Sequence, residues 1–346
     1  MIYFNNDYSE GCHPKLLQAL TDTNMEQTSG YGMDPHCFRA AELIKKACGR
    51  EDLGVHFLVG GTQTNMTVID AALRPHQGVI CAESGHIHVH ETGAVEATGH
   101  KVLAIPGKDG KLATQQIRSA TLAQRLDDAS EHIVQPKMVY ISHPTELGTL
   151  YSLAELTEIS FVCRELGLYL FLDGARLGYG LTAADADVTL TDLAALCDVF
   201  YIGGTKVGAL FGEAVVFSNP VISEDFRYMV KQHGGMLAKG RLLGVQFEAL
   251  FEDDLYFKIA KRANEHADKI RSTLRQLGYS FLVETTANQI FPILPDTLLD
   301  QLQKSFTFSN QERIDDTSRA VRFCTSWATT SEQVAALCEE LKRLSK

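Results

Sequence analysis

From about residue 50 to 220 the chain alternates two apolar patterns. Short apolar runs of strand length fall at 55–59, 79–82, 100–105, 138–142, 168–172, 199–203 and 214–217, most of them followed by glycine or a polar residue. Helical spacing falls between them. One helix is predicted over 36–48, closed by Gly49. Another follows Gly60-Gly61-Thr62 to about 73, and a third covers 114–126. A fourth opens on the capping box Ser152-Leu-Ala-Glu155 and closes at Gly167. Strands alternating with helices predict a mainly parallel sheet covered on both faces. After about 240 the pattern changes. An amphipathic helix is predicted over 245–277, then strands near 280–284, 288–294, 305–309 and 320–326, with a helix near 296–304. A last helix starts at the capping box Thr329-Thr-Ser-Glu332. The expected architecture is therefore α/β: a large domain over 1–243 and a smaller α+β domain over 244–346.

Composition narrows the function classes. The 346 residues are 45% hydrophobic and 22% charged, as in an ordinary globular protein, and the net charge is −11. That balance argues against nucleic acid or an anionic membrane surface as a partner, since a phosphate backbone needs a basic face. The eight cysteines contain no Cys-x-x-Cys unit and are too sparse for a disulfide scaffold, which predicts buried thiols. The first residues lack a basic and apolar leader, and no apolar run approaches about 18 residues. A cytoplasmic enzyme is expected.

In open α/β sheets, ligands bind beyond the carboxyl ends of the strands, and three features sit there. Gly60-Gly61-Thr62 joins a strand to a helix; it would suit a phosphate at a helix N-terminus, or be a plain tight turn. Asp173 ends a buried strand and needs a partner. That partner is a protonated pyridine nitrogen, nearby Arg176 or a helix end to cap. Lys206 follows an apolar strand among glycines, where desolvation would lower its pKa and favour Schiff-base chemistry; otherwise it is a loop lysine on the surface.

Together these features follow the order seen in fold-type I enzymes of pyridoxal 5'-phosphate. Further stretches extend the match: Phe4-Asn-Asn-Asp7, Tyr31-Gly-Met-Asp34-Pro35, Gly61-Thr62-x-x-Asn65, His86-x-x-x-x-Glu91, Thr145-Glu-Leu-Gly-Thr149, Asp173-Gly-Ala-Arg176, Gly203-Gly-Thr-Lys206 and Arg322-x-x-x-Ser326-Trp327. The chain resembles the threonine aldolases of the aromatic amino acid β-eliminating lyase/threonine aldolase superfamily over nearly its whole length. The resemblance implies pyridoxal 5'-phosphate as cofactor, with Lys206 as its Schiff-base lysine and Asp173 on the pyridine nitrogen. Gly61 and Thr62 would bind the phosphate, and His86 would stack on the ring. Arg176 and Arg322 would hold the substrate carboxylate or the cofactor's phenolate side, Arg322 being the better clamp. Tyr31 and Lys231 match positions that reach the cofactor region across a subunit interface. Asn6 stands where the family usually has serine and could still meet a carboxylate. The β-hydroxyl base would be His86, with His132 as a second candidate.

The implied activity is retro-aldol cleavage of a β-hydroxy-α-amino acid to glycine and an aldehyde by a homodimer or homotetramer; β-elimination would use the same groups. Two unrelated readings also have sequence support. His86, His88 and His90, if extended, put three imidazoles on one face as in a zinc hydrolase. Gly178-Tyr-Gly180-Leu-Thr-Ala183 matches a short dinucleotide fingerprint, though four residues past the strand.

Overall fold

The computed structural model describes residues 1–345. Its centre is a seven-stranded sheet with spatial order Gly54–Leu58, Glu213–Phe217, Val199–Gly203, Tyr169–Asp173, Gln135–Ser142, Gln77–Ala82 and Lys101–Ile105. Only Glu213–Phe217 runs against its neighbours. The strands are apolar almost throughout because helices cover both faces.

Strand alternation divides the core in two. Met138, Tyr140, Phe171, Val199, Tyr201, Val215 and Phe217 pack on one face, with Val68 and Ile69 of helix Gly61–Ala72. Val139, Ile141, Leu170, Leu172, Phe200 and Ile202 pack on the other, against helices Pro35–Cys48, Leu153–Glu165 and Arg241–Phe251.

The expected helix over 245–277 is two helices, Arg241–Phe251 and Leu255–Gln276. Asp253 and Asp254 lie between them at positive φ, 54° and 56°, which aspartate tolerates better than most residues. The second helix serves two cores. Leu255, Tyr256, Ile259 and Ala263 bury against the large sheet, whereas Ala267, Ile270 and Leu274 join Phe4, Leu294, Leu299, Phe323 and Leu337. That last cluster underlies the antiparallel strands Ile293–Pro295, Ser309–Arg313 and Ser318–Cys324. The first strand, Ile2–Tyr3, pairs with Phe306–Thr307, so the chain's start lies on this C-terminal unit. Residues 280–284 do not form the expected strand.

Two glycines fix how the strand ends meet. A Cβ on Gly174 would lie 1.9 Å from the Tyr201 carbonyl oxygen, and one on Gly203 would lie 2.3 Å from that of Ala175. The backbones touch there, and the Gly203 amide donates to the Gly174 carbonyl at 2.9 Å. This contact places the segments after Asp173 and before Lys206 side by side. Gly174→Ala is therefore expected to lower stability by about 3 kcal/mol or more, the upper end of overpacking costs, measured as a fall in the urea unfolding midpoint.

Candidate active site

Gly61, Thr62, His86, Asp173 and Lys206 line one cavity of about 330 Å³ at the carboxyl ends of the parallel strands, with Tyr8, Tyr201, Thr205 and Glu213. Helix Gly61–Ala72 begins there. No side chain caps its N-terminus, and nothing lies within 4 Å of a Cβ built on Gly60. Uncapped N–H groups and an open backbone form a site for an anion.

Asp173 ends its strand 4% exposed. Its Oδ2 accepts from the Tyr140 hydroxyl and from Asn65 Nδ2 at 3.1 Å; its Oδ1 accepts from the Ala175 amide at 2.9 Å. Burial pushes the carboxyl pKa up, but the His86 charge and the Tyr140 and Tyr201 hydroxyls outweigh it, and the net shift is downward. Asp173 is thus an ionised carboxylate in the cavity wall.

The same Asn65 Nδ2 donates to Glu91 Oε1 at 3.0 Å, and that oxygen lies 3.0 Å from His86 Nδ1. Glu91 therefore assigns the proton to Nδ1 and leaves Nε2 as the lone-pair nitrogen. Burial lowers the His86 pKa, yet the Glu91 bond and the Asp173 charge reverse this and raise it. Glu146, at the end of the neighbouring strand, accepts from the Ser142 hydroxyl at 2.6 Å and from the His86 amide at 2.9 Å. Burial raises its pKa.

Lys206 follows the strand Val199–Gly203, and burial and the Arg176 charge lower its pKa. A neutral amine is the form that adds to a carbonyl, and a lowered pKa favours it. An anion cradle, an ionised carboxylate and a lysine of lowered pKa in one cavity fit pyridoxal 5'-phosphate, whose phosphate, pyridine nitrogen and aldehyde need those partners in turn.

Several expected site residues stand elsewhere or are already engaged. Arg176 is not a free clamp. Its Nε and Nη2 donate to Asp7 at 2.7 and 2.9 Å, and Asp7 is fully buried and also accepts from Asn288 at 2.9 Å. Arg322 is freer: Nη2 donates to the Asn5 carbonyl at 3.0 Å, while its buried Nε has no partner. Asn6 turns its Oδ1 to the Tyr8 amide and the Ser9 hydroxyl, closing a local turn that carries Tyr8 to the cavity. His132 is exposed in a turn before Gln135, the start of the strand that ends at Ser142. It lies at the amino ends of the strands, roughly 25 Å by strand rise from the carboxyl ends where this chain's cavity opens. Tyr31 and Lys231 sit outside this cavity, with Lys231 Nζ 4.9 Å from the Tyr31 ring centre.

The unrelated readings lose their geometry. His86–Val89 is a short helix, so the three histidines do not share a strand face, and His88 and His90 are exposed. Gly178 and Gly180 are buried in the helix Leu177–Leu181 against Tyr256 and His143, where small residues are needed for packing. The sequence reading gave no role to Asp7, Tyr140, Tyr201, Glu146 or Glu213. Asp7 and Glu146 stood in matched motifs; the other three carried no signal beyond lying in or beside strands.

Residues 8–296 match the family model described as Beta-eliminating lyase. The low specificity L-threonine aldolase of Pseudomonas aeruginosa is 30% identical over 98% of this chain and 96% of its own. A shorter match, 27% identical over 66% of this chain and 58% of the relative, links it to the low specificity L-threonine aldolase of Saccharomyces cerevisiae. Among solved structures, the threonine aldolase of Leishmania major superposes with a TM-score of 0.98 at 46% identity, covering both chains fully. Aspartate aminotransferase from Thermus thermophilus shares the fold, at TM-score 0.71 and 16% identity over 99% of this chain and 91% of its own.

The Asp7–Arg176 pair yields a stability test. Burial raises the Asp7 pKa, but the Arg176 and Lys206 charges outweigh it and the net shift is downward. A depressed folded value stabilises fully above the unfolded aspartate pKa of about 3.9 and less as pH falls through the folded one. Asp7→Asn leaves Arg176 buried without its counter-charge, an expected loss of about 3–5 kcal/mol near neutrality. Urea titrations at several pH values should show that loss, together with a shallower decline of stability in acid than the wild type.

Proposed function

This chain belongs to the beta-eliminating lyase family, and we propose that it is a pyridoxal 5'-phosphate-dependent aldolase. It cleaves L-threonine, L-allo-threonine or a related β-hydroxy-α-amino acid to glycine and an aldehyde. The observation that carries this reading is the convergence of Lys206, Asp173 and the Gly61-Thr62 turn in one cavity, in a chain 46% identical along its length to the Leishmania major enzyme.

Each residue has a task that its surroundings permit. The N–H groups of Gly61 and Thr62 hold the phosphate. Asp173, kept ionised by its donors, would pair with the pyridine N–H, and Lys206 would be the amine that holds the cofactor's carbonyl carbon. When bound, the cofactor supplies the electron sink that accepts the pair released as Cα–Cβ breaks. Arg322, with its unpartnered Nε, holds the substrate carboxylate. His86 Nε2 takes the β-hydroxyl proton as the carbonyl of the aldehyde forms, and Glu91 stabilises the resulting imidazolium through Nδ1. A proton returned to Cα completes glycine, so atoms and charge balance without a further reagent.

Tyr31 and Lys231 fit a contact between two copies. Around them Tyr31, Met33, Phe38 and Tyr228 are 47–75% exposed, an apolar surface that a second copy would cover. A homodimer or homotetramer is the assembly this supports. Eight free cysteines, seven of them buried, suit a reducing cytoplasm, and no helix among the described residues is long and apolar enough to cross a membrane.

Two measurements test the reading. The purified protein should absorb at about 410–430 nm, as Schiff bases of the cofactor do, and form glycine and acetaldehyde from L-threonine. Lys206→Ala should lose both; ammonia and a keto acid in place of glycine would replace the aldolase with an eliminating lyase. Arg322→Ala should raise KM for L-threonine roughly 10–100-fold with a smaller change in kcat, because the lost bonds are present before and during cleavage. An unchanged KM would remove Arg322 from the carboxylate site.

A further inference from the structure

The cavity wall contains a carboxyl with no task in the reaction above. Glu213 begins the antiparallel strand Glu213–Phe217 and lies opposite Gly203 in register. It is 3% exposed, and strand alternation puts it on the face that holds Val215, Phe217 and Tyr201. Its Oε2 accepts from the Gly204 amide at 3.0 Å, and Thr205, whose Oγ1 accepts from the Gly212 amide at 3.0 Å, lines the same cavity. Glu213 lines the cavity with Gly60, Gly61 and Thr62. From the surrounding elements, Lys206 is the cation that acts on it and Asp173 the anion; Tyr201 and the Tyr256 of helix Leu255–Gln276 are the other titratable neighbours. Leu58 faces it in register, and the adjacent Gly212 packs on Leu243 and Phe247.

A phosphate at the Gly61-Thr62 turn would share this small cavity with Glu213. Two anions there repel each other with little solvent to screen them. We propose that Glu213 is a neutral carboxylic acid in the loaded protein, an O–H donor at the phosphate end of the ligand, so that binding a phosphate ester is coupled to holding a proton. This rests on the reading that the turn takes the cofactor's phosphate. Burial already pushes the Glu213 carboxyl up to about 8, against the opposing effects of Thr205 and Lys206.

The sign follows from linkage. Below about pH 8 Glu213 carries its proton before the ligand arrives, and binding takes up none. Above that value the free protein has lost the proton, so binding must recover it and affinity falls as pH rises, approaching tenfold per pH unit. Pyridoxamine 5'-phosphate is a suitable probe, because it has no aldehyde and forms no bond to Lys206. Calorimetry on the full-length apoprotein near pH 7 and pH 9, in two buffers of different ionisation enthalpy, counts the protons. The wild type should take up close to one more proton at pH 9 than Glu213→Gln, and its affinity should fall roughly tenfold more between the two pH values. Equal counts and equal slopes would overturn the proposal. If Glu213→Gln does not fold, the wild type with sulfate, a dianion at both pH values, decides: an uptake at pH 9 no greater than at pH 7 overturns it. Absence of binding by either probe at any pH removes the phosphate site itself, a different outcome from a pH-independent affinity.

Discussion

Asp173 ends a strand inside the sheet, where water cannot solvate its charge. Its ionisation is maintained by donors from three directions. Tyr140 comes from the neighbouring strand, Asn65 from the helix above the sheet, and the Ala175 amide from the turn that follows. Each donor carries a second constraint outward. Asn65 also meets Glu91, Glu91 orients His86, and Glu146 holds the His86 backbone from the other side. Satisfying one buried charge thus aims the imidazole and fixes its tautomer, so the geometry of His86 is a consequence of the electrostatics of Asp173.

The two carboxyls of the cavity show how far local donors control ionisation. Asp173 and Glu213 are equally buried, and burial acts on both in the same direction. Asp173 has Tyr140, Tyr201, the Ala175 amide and the His86 charge in its favour and shifts down. Glu213 has Thr205, the Gly204 amide and Lys206, with Asp173 opposed, and shifts up. One site therefore holds an ionised carboxylate and a carboxyl whose pKa is pushed up, the two kinds of group that suit a ligand with a cationic and an anionic end.

The second buried ion pair ties the two ends of the chain to the site. Asp7 comes from the N-terminal segment and Arg176 from just beyond Asp173, and Asn288 of the C-terminal unit closes the contact. Helix Leu255–Gln276 spans both cores behind it. In the C-terminal unit, Arg322 donates to the Asn5 carbonyl of the same N-terminal segment. Arg176 and Arg322 are thereby held by one shared segment, residues 4–8.

Periodicity and punctuation determined the large sheet, the helices over it and the helix-opening turn, because those depend on spacing and backbone freedom that a few neighbouring residues set. The order of turn, aspartate and lysine was legible for the same reason: each stands at a strand end, and strand ends in this topology face one side. Tertiary structure decided which charged groups are free. Nothing local to Arg176 says that Asp7, 169 residues away, occupies its fork, and nothing local to His132 says that it stands at the amino end of its strand, away from the cavity. Likewise Asp253 and Asp254 break a helix that apolar spacing alone would have continued. Side-chain chemistry names what a residue can do; only the packing of distant segments determines which partner reaches it first.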